Sequence, residues 1–247
     1  MIFDTFLFSG ETEMLTLRRT MLAPLGVTHI VVQANRTHSG EPKDLYHDDN
    51  PNTIWVNVED MPDTPDEGKT IEWTRENFQR NAILRGLRGN VSPGDILLIT
   101  DADEIIRPEA IARFTPEMGM AGLQLDSFMY YLNCLAGRQN WKPPRILTAE
   151  YLVDKTPQSV RDEGYPYVIE DAGFHFSYLG GVDRIRRKIQ NFAHQELNTP
   201  TLHADLERKI KNKEVLWAGD ELPLVPIDDY YPKEITENLP YYQHLIA

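Results

Sequence analysis

Ile96-Leu97-Leu98-Ile99-Thr100-Asp101-Ala102-Asp103-Glu104-Ile105 joins four apolar residues to a cluster of three carboxylates. A short apolar run ending in a polar turn reads as a buried strand that delivers its last residues to a sheet edge. Carboxylate oxygens there suit Mg²⁺ or Mn²⁺, hard cations that commonly share their coordination sphere with substrate phosphates. Asp101-Ala102-Asp103 has DxD spacing. Both carboxylates can turn toward one ion, or one can hold a ribose hydroxyl. The alternative is an acidic turn that caps the helix expected near Pro108, where negative charge is favoured.

Working outward, Ile2 to Phe8 reads as a strand broken by Ser9-Gly10, and Glu11 to Leu22 as a helix. Val27 to Val32 and Thr53 to Val58 read as further strands, and Glu72 to Arg88 as the helix before the acidic strand. Strands alternating with helices predict an α/β fold with a mostly parallel central sheet covered on both faces. Ligands gather beyond the carboxyl ends of such strands, where the polar strings at Ser9, Asn35 and Asp101 fall. In the second half, Gly122 to Leu132 reads as a long strand, Gly137 to Pro144 as a loop, and Gly180-Gly181 as a helix opening. From Trp217 on, prolines and acidic residues suggest an extended, packed or loosely ordered tail. With no repeat or low-complexity linker, one domain is expected over 1–247, with a nucleotide-binding half to about 115, an acceptor half to about 215 and a tail over 216–247.

The net charge of −13 argues against a nucleic-acid binder, which needs a basic face for phosphates. It leaves room for a single nucleotide, whose charge a metal can balance locally. Cys134 is the only cysteine, so neither an intrachain disulfide nor a thiolate zinc cluster can form. With no signal peptide or membrane span evident, the expectation is a cytoplasmic protein.

Three more groups carry potential chemistry. The 72–88 helix has apolar residues all round, so Arg75, Asn77, Gln79, Arg80 and Asn81 need partners. Local Glu72 and Glu76 can supply them, or a ligand at the sheet edge. In Phe174-His175-Phe176-Ser177-Tyr178, alternation puts His175 and Ser177 on one face and the aromatics on the other. His175 is then a core histidine or, as neutral imidazole, part of a metal shell. The run Arg184-Ile185-Arg186-Arg187-Lys188 at a helix start suits an anion such as a diphosphate, or is a solvated face.

Taken together, these strings resemble glycosyltransferase family 17, which includes the animal enzyme adding a bisecting N-acetylglucosamine in β1,4 linkage to the core mannose of N-glycans. The blocks are Phe3–Phe8 with Glu11, Ala34–Gly40, Trp73–Ile83, Thr100–Ile105, Tyr130–Asn133 and Gly173–Tyr178, spread over about residues 2–196. The resemblance implies a GT-A-like, Rossmann-type nucleotide-sugar fold and an inverting, metal-dependent transfer, likewise of N-acetylglucosamine, from a UDP-sugar to a glycan acceptor. It implies that Asp103 binds Mn²⁺ or Mg²⁺ at the donor diphosphate, Asp101 the ribose or the metal, and that His175 is a further ligand. Glu11, Asn35, Arg36, Gln79 and Arg80 would surround the donor, with Arg187 and Lys188 at its leaving group. Tyr131, Asn133 and Trp141 would face the acceptor. Asp171, with Asp126 second, is the candidate general base. Animal members carry a membrane anchor and work in the Golgi; with no anchor evident here, the expected acceptor is a bacterial or viral glycan. The other readings are a non-catalytic nucleotide-sugar or carbohydrate-binding protein and a nucleotide-sugar hydrolase.

Overall fold

Apolar, β-rich segments become strands where their side chains can be buried on a pleated surface, and the computed structural model, which describes residues 1–247, has nine of them in one sheet. The first half runs β1 (Ile2–Leu7), α1 (Thr12–Leu22), β2 (Thr28–Ala34), β3 (Thr53–Val58), α2 (Ile71–Asn81), α3 (Ile83–Leu87), β4 (Ile96–Asp101), β5 (Glu104–Ile106) and α4 (Pro108–Ala112). The second runs β6 (Met120–Met129), β7 (Leu135–Trp141), β8 (Arg145–Thr148), α5 (Pro157–Asp162), β9 (Tyr167–Ser177), α6 (Gly181–Asn191), α7 (Pro200–Asn212), α8 (Lys233–Thr236) and α9 (Leu239–Tyr242).

The sheet order is β3-β2-β1-β4-β8-β6-β9-β5, with β7 on β6. β1 to β4 are mutually parallel, as expected, and β6 and β9 form a further parallel pair. Antiparallel pairs enter with β8, β7 and β5. The result is a mixed α/β fold.

One connection dictates the sheet's shape. β4 and β5 are adjacent in sequence but four places apart in the sheet. Laid flat, four strand spacings span roughly 19 Å, whereas the chain from Asp101 to Glu104 reaches at most roughly 11 Å. The sheet must therefore curl, and the acidic turn bridges the curl. Gly173 lets it close. Its backbone is left-handed (φ +149°), and an added Cβ would stand 2.0 Å from the Ile105 carbonyl oxygen. With β5 seated on β9, Glu104 lies in register with His175.

Two sequence expectations are corrected. The 72–88 helix breaks at Ala82 into α2, which buries Thr74, Arg75, Asn77, Gln79 and Arg80, and α3, which buries Ile83, Gly86 and Leu87. The stretch read as a loop over 137–144 holds most of β7, whose irregular pairing with β6 and left-handed Gln139 leave no alternating pattern to recognise. Of the forms expected for the tail, the packed one holds. Tyr231, Ile235, Tyr242 and Leu245 join Met14, Leu17, Phe174 and Phe176 in one buried cluster. No helix is long and apolar enough to cross a membrane.

Beneath the parallel half lies a buried charge. Asp4 on β1 pairs with Arg18 of α1 and accepts a hydrogen bond at 3.0 Å from His29 Nδ1 on β2. Burial pushes the Asp4 carboxyl up, but Arg18 and His29 more than offset this and hold it at about 2. Because its value is depressed in the folded chain, Asp4 stabilises the fold fully above its ordinary value near 3.9. That stabilisation is lost as pH falls through about 2. We expect Asp4→Ala to cost about 3–5 kcal/mol in denaturant unfolding, since it strands a buried guanidinium. The stability of Asp4→Asn, in turn, should lose the part of the acid dependence that falls between those two pH values.

Candidate functional site

The carboxylates at the tip of β4 do not face water as a uniform acidic patch; each has its own cationic or hydrogen-bonding partners. Arg18 Nη1 donates to the Asp101 carbonyl at 2.9 Å and to the Glu104 carbonyl, tying the two ends of the turn together. Asp101 receives Arg80 of α2 on Oδ1 at 2.8 Å and Arg161 of α5 on Oδ2 at 2.5 Å. Its pKa is lowered: burial opposes the charge, and Arg161 and Arg80 outweigh it. Glu104, fully buried, accepts from the Asp101 amide (2.7 Å), from both Arg161 terminal nitrogens and from Trp141 Nε1 (2.7 Å).

Asp103 is differently placed. Its residue is 8% exposed, its Oδ2 accepts from Lys188 Nζ of α6 at 2.8 Å, and its Oδ1 stands 3.8 Å from His175 Nε2. Burial pushes the Asp103 carboxyl up, but Lys188 and His175 bring it below its ordinary value. Burial likewise pushes the Lys188 ammonium down, and Asp103 more than restores it. For His175 burial wins over the neighbouring carboxylates and holds its pKa down, which favours neutral imidazole. Its ring stacks on Trp141 with centroids 3.8 Å apart and an 18° interplanar angle. The alternation read from sequence holds: Phe174 and Phe176 enter the core while His175 and Ser177 line the cleft.

This cleft has a volume of about 1930 Å³. Of the expected site residues it gathers Glu11, Arg36, Gln79, Arg80, Asp101, Asp103, Trp141, His175, Arg187 and Lys188. Gln79 spans β2 and the following loop, donating to the Val32 carbonyl (2.9 Å) and meeting His38 Nε2 (3.0 Å). Arg36 pairs with Asp63, and Glu11 accepts from the Ser9 amide. Of the buried α2 residues, Arg80 takes the local partner Glu76, and Arg75 donates to the carbonyls of Pro62 and His38.

Five expected residues lie outside the cleft's lining. Asn35 is exposed beside it. Tyr131 packs on the cluster under α6 and α7, and Asn133 exchanges hydrogen bonds with the backbone of Ala247. Asp126 is sealed in by Arg138, Gln139 and Tyr230. Asp171, whose side chain is 56% exposed, accepts from the same Tyr230 hydroxyl at 3.1 Å.

A divalent cation can be tested against these groups. Asp101 has both oxygens engaged by arginines, and no group of three or more His, Cys, Asp or Glu side chains is arranged to hold a metal. Asp103 and His175 are the two suitable donors, and His175 Nδ1 is buried without a hydrogen-bond partner. An orphaned buried nitrogen costs roughly 1–3 kcal/mol. The Asp103 carboxylate and the His175 imidazole, whose Nε2 is the nitrogen beside Asp103, supply two donors for Mn²⁺ or Mg²⁺, with phosphate oxygens and water to complete the shell.

Sequence reading missed Glu104 as a structural carboxylate, Arg161 as its partner, and Trp141 as the support of His175. Glu104 carried a signal, since it leads directly into the buried Ile105-Ile106. Arg161 carried none; it lies far along the chain in a short helix.

The glycosyltransferase family 17 model matches residues 1–245. No curated protein and no solved structure matches the chain.

Removing Arg161 leaves Asp101 with Arg80 alone and Glu104 with no cation. We expect Arg161→Met to lower unfolding free energy by about 3–5 kcal/mol. The emission of Trp141, which shares Glu104, should shift in the folded variant; an unchanged melt would refute the charge balance described here.

Proposed function

The chain belongs to glycosyltransferase family 17 and is a glycosyltransferase; we propose that it moves N-acetylglucosamine from a UDP-sugar to a glycan acceptor, with inversion and with Mn²⁺ or Mg²⁺ at Asp103. The observation that carries this reading is the neighbourhood of Asp103: a carboxylate, a neutral imidazole and an ammonium meet at the wall of the cleft, at the carboxyl ends of parallel strands. The parallel order β3-β2-β1-β4 supports a GT-A-like nucleotide half.

When bound, the cation supplies Lewis-acid stabilisation of the charge that develops on the leaving diphosphate. Asp103 and His175 are the residues to hold it. Asp101 instead anchors the turn: its two arginines fix the backbone that presents Asp103. Lys188 is paired with Asp103 by a single hydrogen bond and can turn to a phosphate oxygen within the same pocket. Arg187 lines the cleft with no acidic partner of its own and adds positive charge at the leaving group. Arg36 and Gln79, with Asn35 at the edge, lie where the nucleoside would pass over the ends of β1 and β2.

Inversion requires in-line attack while a carboxylate takes the acceptor's proton. Asp126 is neutralised and enclosed, so of the two candidates Asp171 is better placed, though it stands outside the cleft. Within the cleft, Glu11, Glu41 and Asp220 are carboxylates without a cationic side-chain partner, and we favour a base from that set.

Asp103→Ala should reduce Mn²⁺-dependent UDP release in the presence of acceptor by about a hundredfold or more, with an unchanged far-UV spectrum. Full turnover in a folded Asp103→Ala protein would remove the metal assignment. Release of free sugar without any acceptor would instead favour a hydrolase.

A further inference from the structure

Among the residues lining the cleft, Trp217 is the only large apolar side chain left exposed, at 62%. Burying such a side chain is favourable, and here most of that gain is not realised. The exposure does not come from a loose segment. Leu216, its neighbour, is fully buried in the cluster under α6 and α7. The turn that carries Trp217 is closed by Val215 N to the Asp220 carbonyl (2.8 Å) and Leu222 N to the Lys213 carbonyl (2.7 Å). Lys209 of α7 donates to the carbonyls of Val215 (3.1 Å) and Ala218 (2.7 Å), gripping the backbone on both sides of the indole. A hydrogen-bonded turn thus holds an uncovered aromatic face at the cleft.

The two ends of the same cleft differ in charge. Around Asp103 acidic and basic residues mix, among them Arg187 and Lys188 of α6. The lining near Trp217 and the segment after α6 carries Asp220 and Glu196, the latter paired with His194, while the amides of Gln195 and Asn198 are bonded to each other and to neighbouring groups of the chain. Leu197 and Val215 pack on one hydrophobic cluster, so these two segments form a continuous wall. The cavity, about 1930 Å³, exceeds the roughly 300–1,000 Å³ that a single small ligand occupies. It has room for a second substrate beyond the donor.

We infer that Trp217 is the platform on which a neutral pyranose of the acceptor glycan stacks, with the carboxylates of Asp220 and Glu196 addressing its hydroxyl groups. This rests on the glycosyltransferase reading above. The C–H face of a pyranose is apolar and matches an indole, while its rim of hydroxyls matches amides and carboxylates. Glu196 and Asp220 repel acidic sugars, so the acceptor unit at this position carries no carboxylate. The expected acceptor contacts Tyr131 and Asn133 are committed to internal packing, and Trp141 is committed to His175, which leaves Trp217 as the cleft's free aromatic surface.

The test uses a panel of neutral oligosaccharides (β-mannosides, β-N-acetylglucosaminides and β-galactosides) and their glucuronate-containing counterparts, with UDP and Mn²⁺ titrated separately. A neutral member should protect the wild-type protein's exposed tryptophan emission from acrylamide, and that protection should vanish in Trp217→Phe. Trp217→Ala should bind the same member about tenfold more weakly, Trp217→Phe within about threefold of wild type, and both should melt as wild type does. Undiminished binding by Trp217→Ala, protection by no neutral member, or equal binding of the acidic counterpart overturns the platform. Protection by a neutral sugar together with a failure of wild type to bind UDP and Mn²⁺ supports the platform and refutes the donor reading instead.

Discussion

Carboxylates crowded at one strand tip cannot all remain charged in a partly buried site unless cations are brought to them. In this protein that requirement organises the molecule. Arg18 reaches up from α1, Arg80 from α2, Arg161 from α5 and Lys188 from α6, so that helices from both halves of the chain converge on the turn after β4. Each contact also fixes geometry. Arg18 holds the backbone of the turn, Arg161 bridges Asp101 and Glu104, and Glu104 in turn orients Trp141. Asp103 is what remains: a carboxylate facing the cleft with a single firm partner.

The curl of the sheet makes the convergence possible. A flat nine-stranded sheet would hold His175 on β9 far from the end of β4. Because two residues join β4 to β5, and β5 pairs with β9, the far edge folds back and sets His175 beside Asp103. The tail then covers the outer face of the edge strands, burying Tyr231 against Phe174 and Phe128. The wall of the cleft that the sheet supports carries acidic and basic residues together, and the wall formed by the segment before α7 and the turn after it carries Glu196 and Asp220.

Local sequence determined a good deal. The apolar run 96–99 made a strand, because only burial on both faces accommodates such a run, and the acidic string fell at its tip. The parallel pairing of β1 with β2 and β4 followed from the helices between them, whereas β2 and β3 are joined by a loop. Period-two alternation placed His175 on the face opposite Phe174 and Phe176. These features are legible because their cause, side-chain periodicity against a core, acts over a few residues.

Only the tertiary structure decided what each charged group does. Asp101 and Asp103 look equivalent in the sequence and both line the cleft, yet one is gripped by two arginines and the other by a single lysine. Arg161 lies 60 residues from Asp101 in the chain, and no local pattern marks the pairing. Tyr131, Asn133 and Asp126 carry suitable functional groups but spend them on neighbours in the fold. Residue type sets which hydrogen bonds and charges a side chain can offer, whereas the partner that takes them is chosen by chain segments brought together only when the sheet curls.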